Sequence, residues 1–87
     1  MTARVLSATR ARDDQRATGL LAWLTIETDR LVLDGVQLRR TLDGRHVLSW
    51  PARRDAKGGK HAVVRPADDA SRVALEREVL GQLGADP

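Results

Sequence analysis

The 87-residue sequence contains no cysteine, no phenylalanine and no tyrosine, and its only aromatic residues are Trp23 and Trp50. Without cysteine the chain has no disulfide, no thiolate nucleophile and no ligands for iron–sulfur clusters or the commoner structural zinc sites. Without Phe or Tyr it lacks the aromatic platform on which RRM domains stack bases. We expect both tryptophans to pack in the core, with base stacking as the alternative for each.

Long apolar runs are also missing. The longest one, residues 19–24, is about a third of the length of a membrane-spanning helix. The first ten residues carry arginine where a secretory signal has its apolar centre. We therefore expect a cytoplasmic protein without a membrane partner.

Residues that could support catalysis or bind a metal are scarce. We interpret His46 and His61 as exposed strand residues rather than as a catalytic pair, and no serine has the surroundings of a nucleophile. Asp68 and Asp69 fit a helix start better than a metal site. The Gly-Gly-Lys sequence at 58–60 lacks the strand, spacing and helix of a P-loop. The sequence predicts a non-enzymatic protein with no catalytic residue, metal, cofactor or small-molecule substrate.

Positive charge is concentrated in the middle of the chain. The net charge is +3, but residues 39–65 carry eight basic and two acidic residues, whereas residues 66–87 carry two basic and five acidic ones. Such a concentration of positive charge favours a polyanion as partner. Nucleic acid is preferred to an anionic membrane because no basic amphipathic helix accompanies the charge.

Apolar periodicity predicts an α+β fold in a single domain, 1–87. We expect a small, largely antiparallel sheet of about five strands within residues 4–65 and one C-terminal helix at 68–83. The strands are expected at 5–10, 20–26, 31–41, 46–50 and 60–65, with a tight turn at 28–30.

Glycine positions predict two irregularities in the sheet. Gly35 interrupts a strand pattern and indicates a bulge. Asp43 and Gly44 form the strongest two-residue hairpin signal in the sequence, which requires positive φ at both positions. Residues 52–59 are expected to form a polar loop.

The C-terminal helix has recognisable ends. Asp68 is the expected N-cap and Gly84 the expected stop. An apolar stripe should face the sheet, formed by Val73, Leu80 and Leu83 with Leu75 and Val79 beside them, although Arg72 and Glu76 interrupt it.

The loop after the fourth strand is the candidate binding site. A flexible, glycine-containing loop can follow phosphates with its basic side chains. We expect nucleic acid to bind at Arg53, Arg54, Lys57 and Lys60, together with Arg39, Arg40 and Arg45. A solvated loop without a partner is the alternative.

Residues 20–83 resemble the stage V sporulation protein G (SpoVG) family through a set of features that follow one another in the family's order. The resemblance is carried by Leu31-Val-Leu-Asp34, the Asp43-Gly44 turn, Trp50-Pro-Ala-Arg-Arg54, the loop with Gly59 and Lys60, Arg65-Pro66 and the acidic-capped helix. It implies a small, dimeric α+β protein of the kind that regulates septation or sporulation in bacteria. It also implies that the basic loop contacts DNA or RNA, with Arg53 and Arg54 on the family's basic pair.

Two functions follow from these observations. The first is a non-enzymatic nucleic-acid-binding regulator, and the alternative is a protein-interaction module whose basic loop docks an acidic partner. A homodimer is expected because one helix shields only one face of a sheet. Leu21 and Trp23, opposite Leu24 and Ile26, are expected at or near the dimer interface.

Overall fold

The computed structural model describes residues 3–84, which form six strands and two helices. In chain order these are β1 (Ala3–Arg10), α1 (Asp13–Arg16), β2 (Leu20–Thr28), β3 (Leu31–Arg40), β4 (His46–Ser49), β5 (Ala52–Arg54), β6 (Lys60–Ala62) and α2 (Asp69–Leu83). Strands β1 to β4 form one antiparallel sheet in that order, and β5 pairs with β6 in a separate sheet. Helix α2 packs on one face of the four-stranded sheet. The predicted α+β class is confirmed.

The β2–β3 hairpin closes at the predicted turn. Thr28 pairs with Leu31, and the two residues between them, Asp29 and Arg30, have φ angles of 49° and 66°. Positive φ at both central positions defines a type I′ turn, whose twist matches that of the flanking strands. Arginine is unfavourable there because its Cβ crowds the backbone. Arg30 is therefore a strained position.

Two bulges decide which side chains of β2 and β3 reach the core. The pairing shifts at Gly35, which has a φ of 77°, so the predicted bulge is confirmed. A second shift between Leu20 and Ala22 brings Leu21 into the core, where it is fully buried. The prediction that Leu21 lies at a dimer interface is therefore wrong, because the bulge breaks the alternation that would place it beside Trp23.

The β3–β4 hairpin has a three-residue loop where a two-residue turn was predicted. The N–H of Thr41 donates to the carbonyl of Arg45 at 2.8 Å, and the N–H of Gly44 donates to the carbonyl of Thr41 at 3.0 Å. Gly44 has a φ of 88°, whereas Asp43 is not in the left-handed region. The loop is therefore a turn followed by one left-handed glycine, a common alternative to the type I′ turn.

The hydrophobic core lies between the sheet and α2. Its buried members are Ala3, Leu21, Ala22, Leu24, Ile26, Val36, Leu38, Leu48, Leu75 and Val79. On α2 the buried stripe is centred on Leu75 and Val79, which are four residues apart, whereas Val73 is 39% exposed. The stripe therefore differs from the predicted one, although Leu80 and Leu83 pack at its margin as expected.

Helix α2 begins and ends at the predicted residues. A carboxylate oxygen of Asp68 accepts the backbone N–H of Ser71 at 2.8 Å, which is the N-cap bond. This bond lowers the pKa of Asp68. Gly84, with a φ of 69°, follows the last helical residue and donates its N–H to the carbonyl of Leu80.

Polar side chains of α2 cover part of the outer edge of β1. The Ala3 N–H donates to the carboxylate of Glu78 at 2.6 Å, and the Val5 N–H donates to the side-chain oxygen of Gln82 at 2.8 Å. Because these two edge donors are occupied, they are not free to pair with another strand.

At the opposite edge of the sheet, the side chain of Glu76 in α2 occupies a backbone donor of β4. Its carboxylate accepts the N–H of Leu48 in β4 at 3.1 Å and a guanidinium N–H of Arg72 at 2.9 Å. Of the two charged residues that interrupt the predicted apolar stripe, Glu76 therefore connects the helix to β4, and Arg72 bonds to Glu76.

Three short segments differ from their predictions. Residues 52–59, predicted as a loop, contain β5. The strand predicted at 60–65 is limited to β6, which pairs with β5 and not with the larger sheet. The single turn of α1 lies between the first two strands, where no helix was predicted. No helix within residues 3–84 is long and apolar enough to span a bilayer.

Candidate nucleic-acid interface

The predicted basic loop is a β-hairpin that projects from the sheet. We call residues 52–62 the basic arm. Strands β5 and β6 pair along their whole length, and every residue in them is exposed. Among the helices and strands described, each of the two packs only against the other. At the base of the arm, the N–H of Val63 donates to the carbonyl of Pro51 at 2.9 Å.

Asp55 closes the turn of the arm. Its carboxylate accepts the N–H of Lys57 at 2.9 Å and that of Gly59 at 2.8 Å, and its other oxygen lies 2.7 Å from Nε2 of His61. The hydrogen bond with His61, followed by those from Gly59 and Lys57, lowers the pKa of Asp55. His61 is an exposed strand residue, as predicted, but it also fixes this turn. Gly58, with a φ of 81°, provides the left-handed residue.

The arm carries its cations on two faces because side chains alternate across a strand. Arg54 is paired with Lys60 on one face, and Arg53 is paired with His61 on the other. Lys57 lies in the turn at the tip. The four predicted cations therefore surround the arm instead of forming one row.

The cations of the arm are not neutralised locally. The ion pairs found within residues 3–84 involve other basic groups, and none includes Arg53, Arg54, Lys57 or Lys60. Arg54 donates to the carbonyl of Gly58 at 3.3 Å, which leaves its charge uncompensated. A cluster of four cations that form no ion pair, with Asp55 as the one acidic residue of the arm, attracts an external anion.

The other three predicted binding residues lie along the β3–β4 hairpin. Arg40 and Arg45 are at the end of β4 opposite to the arm, and Arg45 is paired with Asp43 at 3.0 Å. Arg39 is half-buried and donates to the side-chain oxygen of Gln37 at 2.9 Å. The structure thus brings together the four cations of the arm, but does not bring these three arginines to it.

A comparison with family models, with curated proteins and with solved structures found no match to this chain. The arm and its surroundings are therefore interpreted from their own geometry and charge. The acidic residues at the start of α2 do not contribute to this site, since Asp68 caps the helix and Asp69 pairs with Arg72 at 2.7 Å. In the part of the chain that is described, no three acidic or histidine side chains come together to hold a metal ion.

Sequence reasoning missed a groove beside the arm. Its volume is about 300 Å³, and it is lined by Trp23, Gly35, Gln37, Ser49, Trp50, Pro51, Ala52 and Lys60. The Trp23 residue is 38% exposed, so the prediction that it packs in the core is wrong, whereas Trp50 does pack against the core. The alternation of β2 already placed Trp23 opposite Leu24 and was the signal that could have identified the groove.

Proposed function

We propose that this protein is a non-enzymatic regulator that binds nucleic acid, DNA or RNA, through the basic arm. The observation that carries the proposal is the set of four arm cations with no carboxylate partner in residues 3–84. Each can meet a phosphate without breaking an ion pair. The resemblance of the sequence to the SpoVG family supports the same function, including a role in septation or gene regulation in the cytoplasm.

The distribution of charge over the elements supports this function as well. Acidic side chains of α2 are engaged in capping the helix and in bonds to the sheet edges, as Asp68, Glu76 and Glu78 show. The arm carries four cations that form no ion pair within residues 3–84. A polyanion would therefore be attracted to the arm more strongly than to the helical side of the sheet.

Fluorescence anisotropy with labelled single-stranded and duplex probes of DNA and RNA tests the proposal. We expect binding at low salt that weakens as the salt concentration rises, because phosphate contacts release counterions. We expect the variant R53A/R54A/K57A/K60A to lose most of this affinity. Absence of binding to every probe at low salt would refute the proposal and favour the alternative of an acidic protein partner.

A second quadruple variant distinguishes binding by the arm from attraction by the net positive charge of the protein. The variant R4A/R10A/R12A/R77A removes the same number of positive charges from exposed positions outside the arm. Two of these arginines form exposed ion pairs, which contribute little to stability. We expect this control to keep most of its affinity. Equal losses in the two variants would show that net charge, and not the arm, determines binding.

We also propose that the protein is a homodimer. Leu6 on β1 and Val32 on β3 remain exposed and would be covered by a second copy. Sedimentation equilibrium at micromolar concentration should give twice the mass of the 9.6 kDa chain, and Val32→Lys should shift it towards the monomer. A monomer mass for the unaltered protein would contradict this assembly.

A further inference from the structure

Trp23 lies on the face of the sheet that α2 does not cover. Its neighbours in β2, Ala22 and Leu24, are buried in the core, and alternation directs Trp23 to the opposite face. Its partners on the adjacent strands are the polar residues Thr9 and Gln37. A large, flat and apolar ring is thus exposed among polar neighbours at the middle of this face.

The groove beside Trp23 has polar groups and open space next to the ring. Gln37 and Ser49 line it and are partners on adjacent strands, so an amide and a hydroxyl lie close to the ring. Gly35 adds no side chain, and the space that a Cβ would occupy there is open. Flat aromatic rings stack nucleobases, and amide and hydroxyl groups hydrogen-bond base edges.

One face of the arm supplies positive charge to the same groove. Lys60 and Ala52 line the groove, and Arg54, paired with Lys60, shares that face of the arm. Neither Lys60 nor Arg54 has an ion-pair partner among the described residues. The stacking surface and the uncompensated cations are therefore contiguous, which matches the alternation of bases and phosphates along a strand.

We infer that this groove binds one unpaired base of a single-stranded nucleic acid, stacked on Trp23, with neighbouring phosphates on Lys60 and Arg54. The inference rests on the proposed nucleic-acid binding and adds the form of the ligand. A base in a duplex is already stacked on both sides, so its face is not free for Trp23. The protein should therefore bind a single strand more tightly than a duplex of the same length.

The tryptophan content of the chain makes a direct test possible. Trp50 also lines the groove, and Trp50→Phe keeps an aromatic ring there while leaving Trp23 as the only tryptophan. Titration of this variant with an oligothymidine of about 8 nucleotides, within the range that one small domain covers, should quench the emission of Trp23. A duplex of equal length should quench it much less. Unchanged emission at a single-strand concentration that saturates binding by anisotropy would overturn the inference.

Two substitutions separate stacking from charge. Trp23→Leu keeps an apolar side chain but removes the ring face, and it should weaken single-strand binding roughly 5- to 150-fold without changing the salt dependence. Lys60→Ala should weaken binding and lower the slope of log affinity against log salt by about 0.7. Trp23→Phe should restore part of the affinity. Unchanged single-strand affinity in Trp23→Leu, with a normal melting curve, would contradict base stacking.

The outcomes distinguish this inference from the function on which it rests. One outcome is that single strands and duplexes bind with equal affinity, that the quadruple arm variant loses affinity for both, and that Trp23→Leu keeps affinity for both. In that case the arm binds nucleic acid, and the proposed base groove is refuted. If no probe binds the unaltered protein at low salt, both the function and the groove are refuted.

Discussion

The four-stranded sheet with α2, which we call the body, and the basic arm are two antiparallel β structures that are stabilised in different ways. In the body, side chains such as Leu24, Ile26 and Val79 are completely or almost completely removed from water. In the arm, no residue of β5 or β6 is buried, and the carboxylate of Asp55 holds the turn. An isolated two-stranded hairpin is at best marginally stable in water. The body therefore accounts for the stability of the fold, whereas the arm presents positive charge and contributes little to that stability.

The largest expected effect comes from emptying the core of the body. Leu24→Ala should lower the free energy of unfolding by about 2–5 kcal/mol, because it removes buried methyl groups and leaves a cavity. Each of the four substitutions in the arm variant should change the free energy of unfolding by at most about 0.5 kcal/mol, since the side chains are exposed. Urea denaturation followed by circular dichroism measures both. A comparable loss in the two variants would show that the arm contributes to the core's stability.

The contact of Glu76 with β4 should have the next largest effect. Glu76→Ala leaves the N–H of Leu48 without its acceptor and the guanidinium of Arg72 without one of its partners, and should cost about 1–3 kcal/mol. Glu76→Gln is the matched control, because its amide oxygen can still accept from Leu48. It should retain more stability than the alanine variant in the same urea titration. Equal stability of both variants would mean that the contact with β4 is unimportant.

A substitution in the turn between β2 and β3 should change the free energy of unfolding by a smaller amount and should increase it. Arg30→Gly should raise the free energy of unfolding by up to about 1 kcal/mol, because glycine adopts the φ of 66° without the crowding that an arginine Cβ causes. Thermal melting should show a higher midpoint. A lower midpoint would indicate that the side chain of Arg30 makes a contribution larger than its backbone strain.

The smallest effect on the body should come from Asp55, whose influence is confined to the arm. Its pKa in the folded arm lies below the ordinary value of 3.8, chiefly because of the hydrogen bond with His61. The ionised carboxylate therefore stabilises the arm above that ordinary value, and this stabilisation is lost as the pH falls through the lowered pKa.

Amide exchange measured by NMR tests this local effect. In Asp55→Ala the amide of Gly59 should lose protection, because its acceptor is gone, while amides of β2 should stay protected. On acidification of the unaltered protein, the amide of Gly59 should lose protection as the pH falls through the lowered pKa of Asp55. Exchange in β2 that rises together with exchange in the arm would contradict the independence of the two regions.

The body was more predictable than the arm, for physical reasons. Periodic burial in β2, the cap at Asp68 and the stop at Gly84 leave clear signals because one residue type satisfies each local requirement. The burial of Leu21 could not be read from alternation, since the bulge that turns it inward depends on the pairing with β3. Strand β5 leaves no apolar signal because all of its residues are exposed. The charges were visible in the sequence, but their arrangement on two faces required the hairpin register.

The salt dependence of duplex binding by the quadruple arm variant tests whether the cations of the arm contact phosphates. Each neutralised phosphate contributes about 0.9 to the slope of log affinity against log salt, so the loss of four arm cations should flatten that slope by up to about 3.6. We expect this flattening in the quadruple arm variant together with an unchanged melting curve. A variant that melts normally and binds with the same affinity and the same slope as the unaltered protein would contradict it.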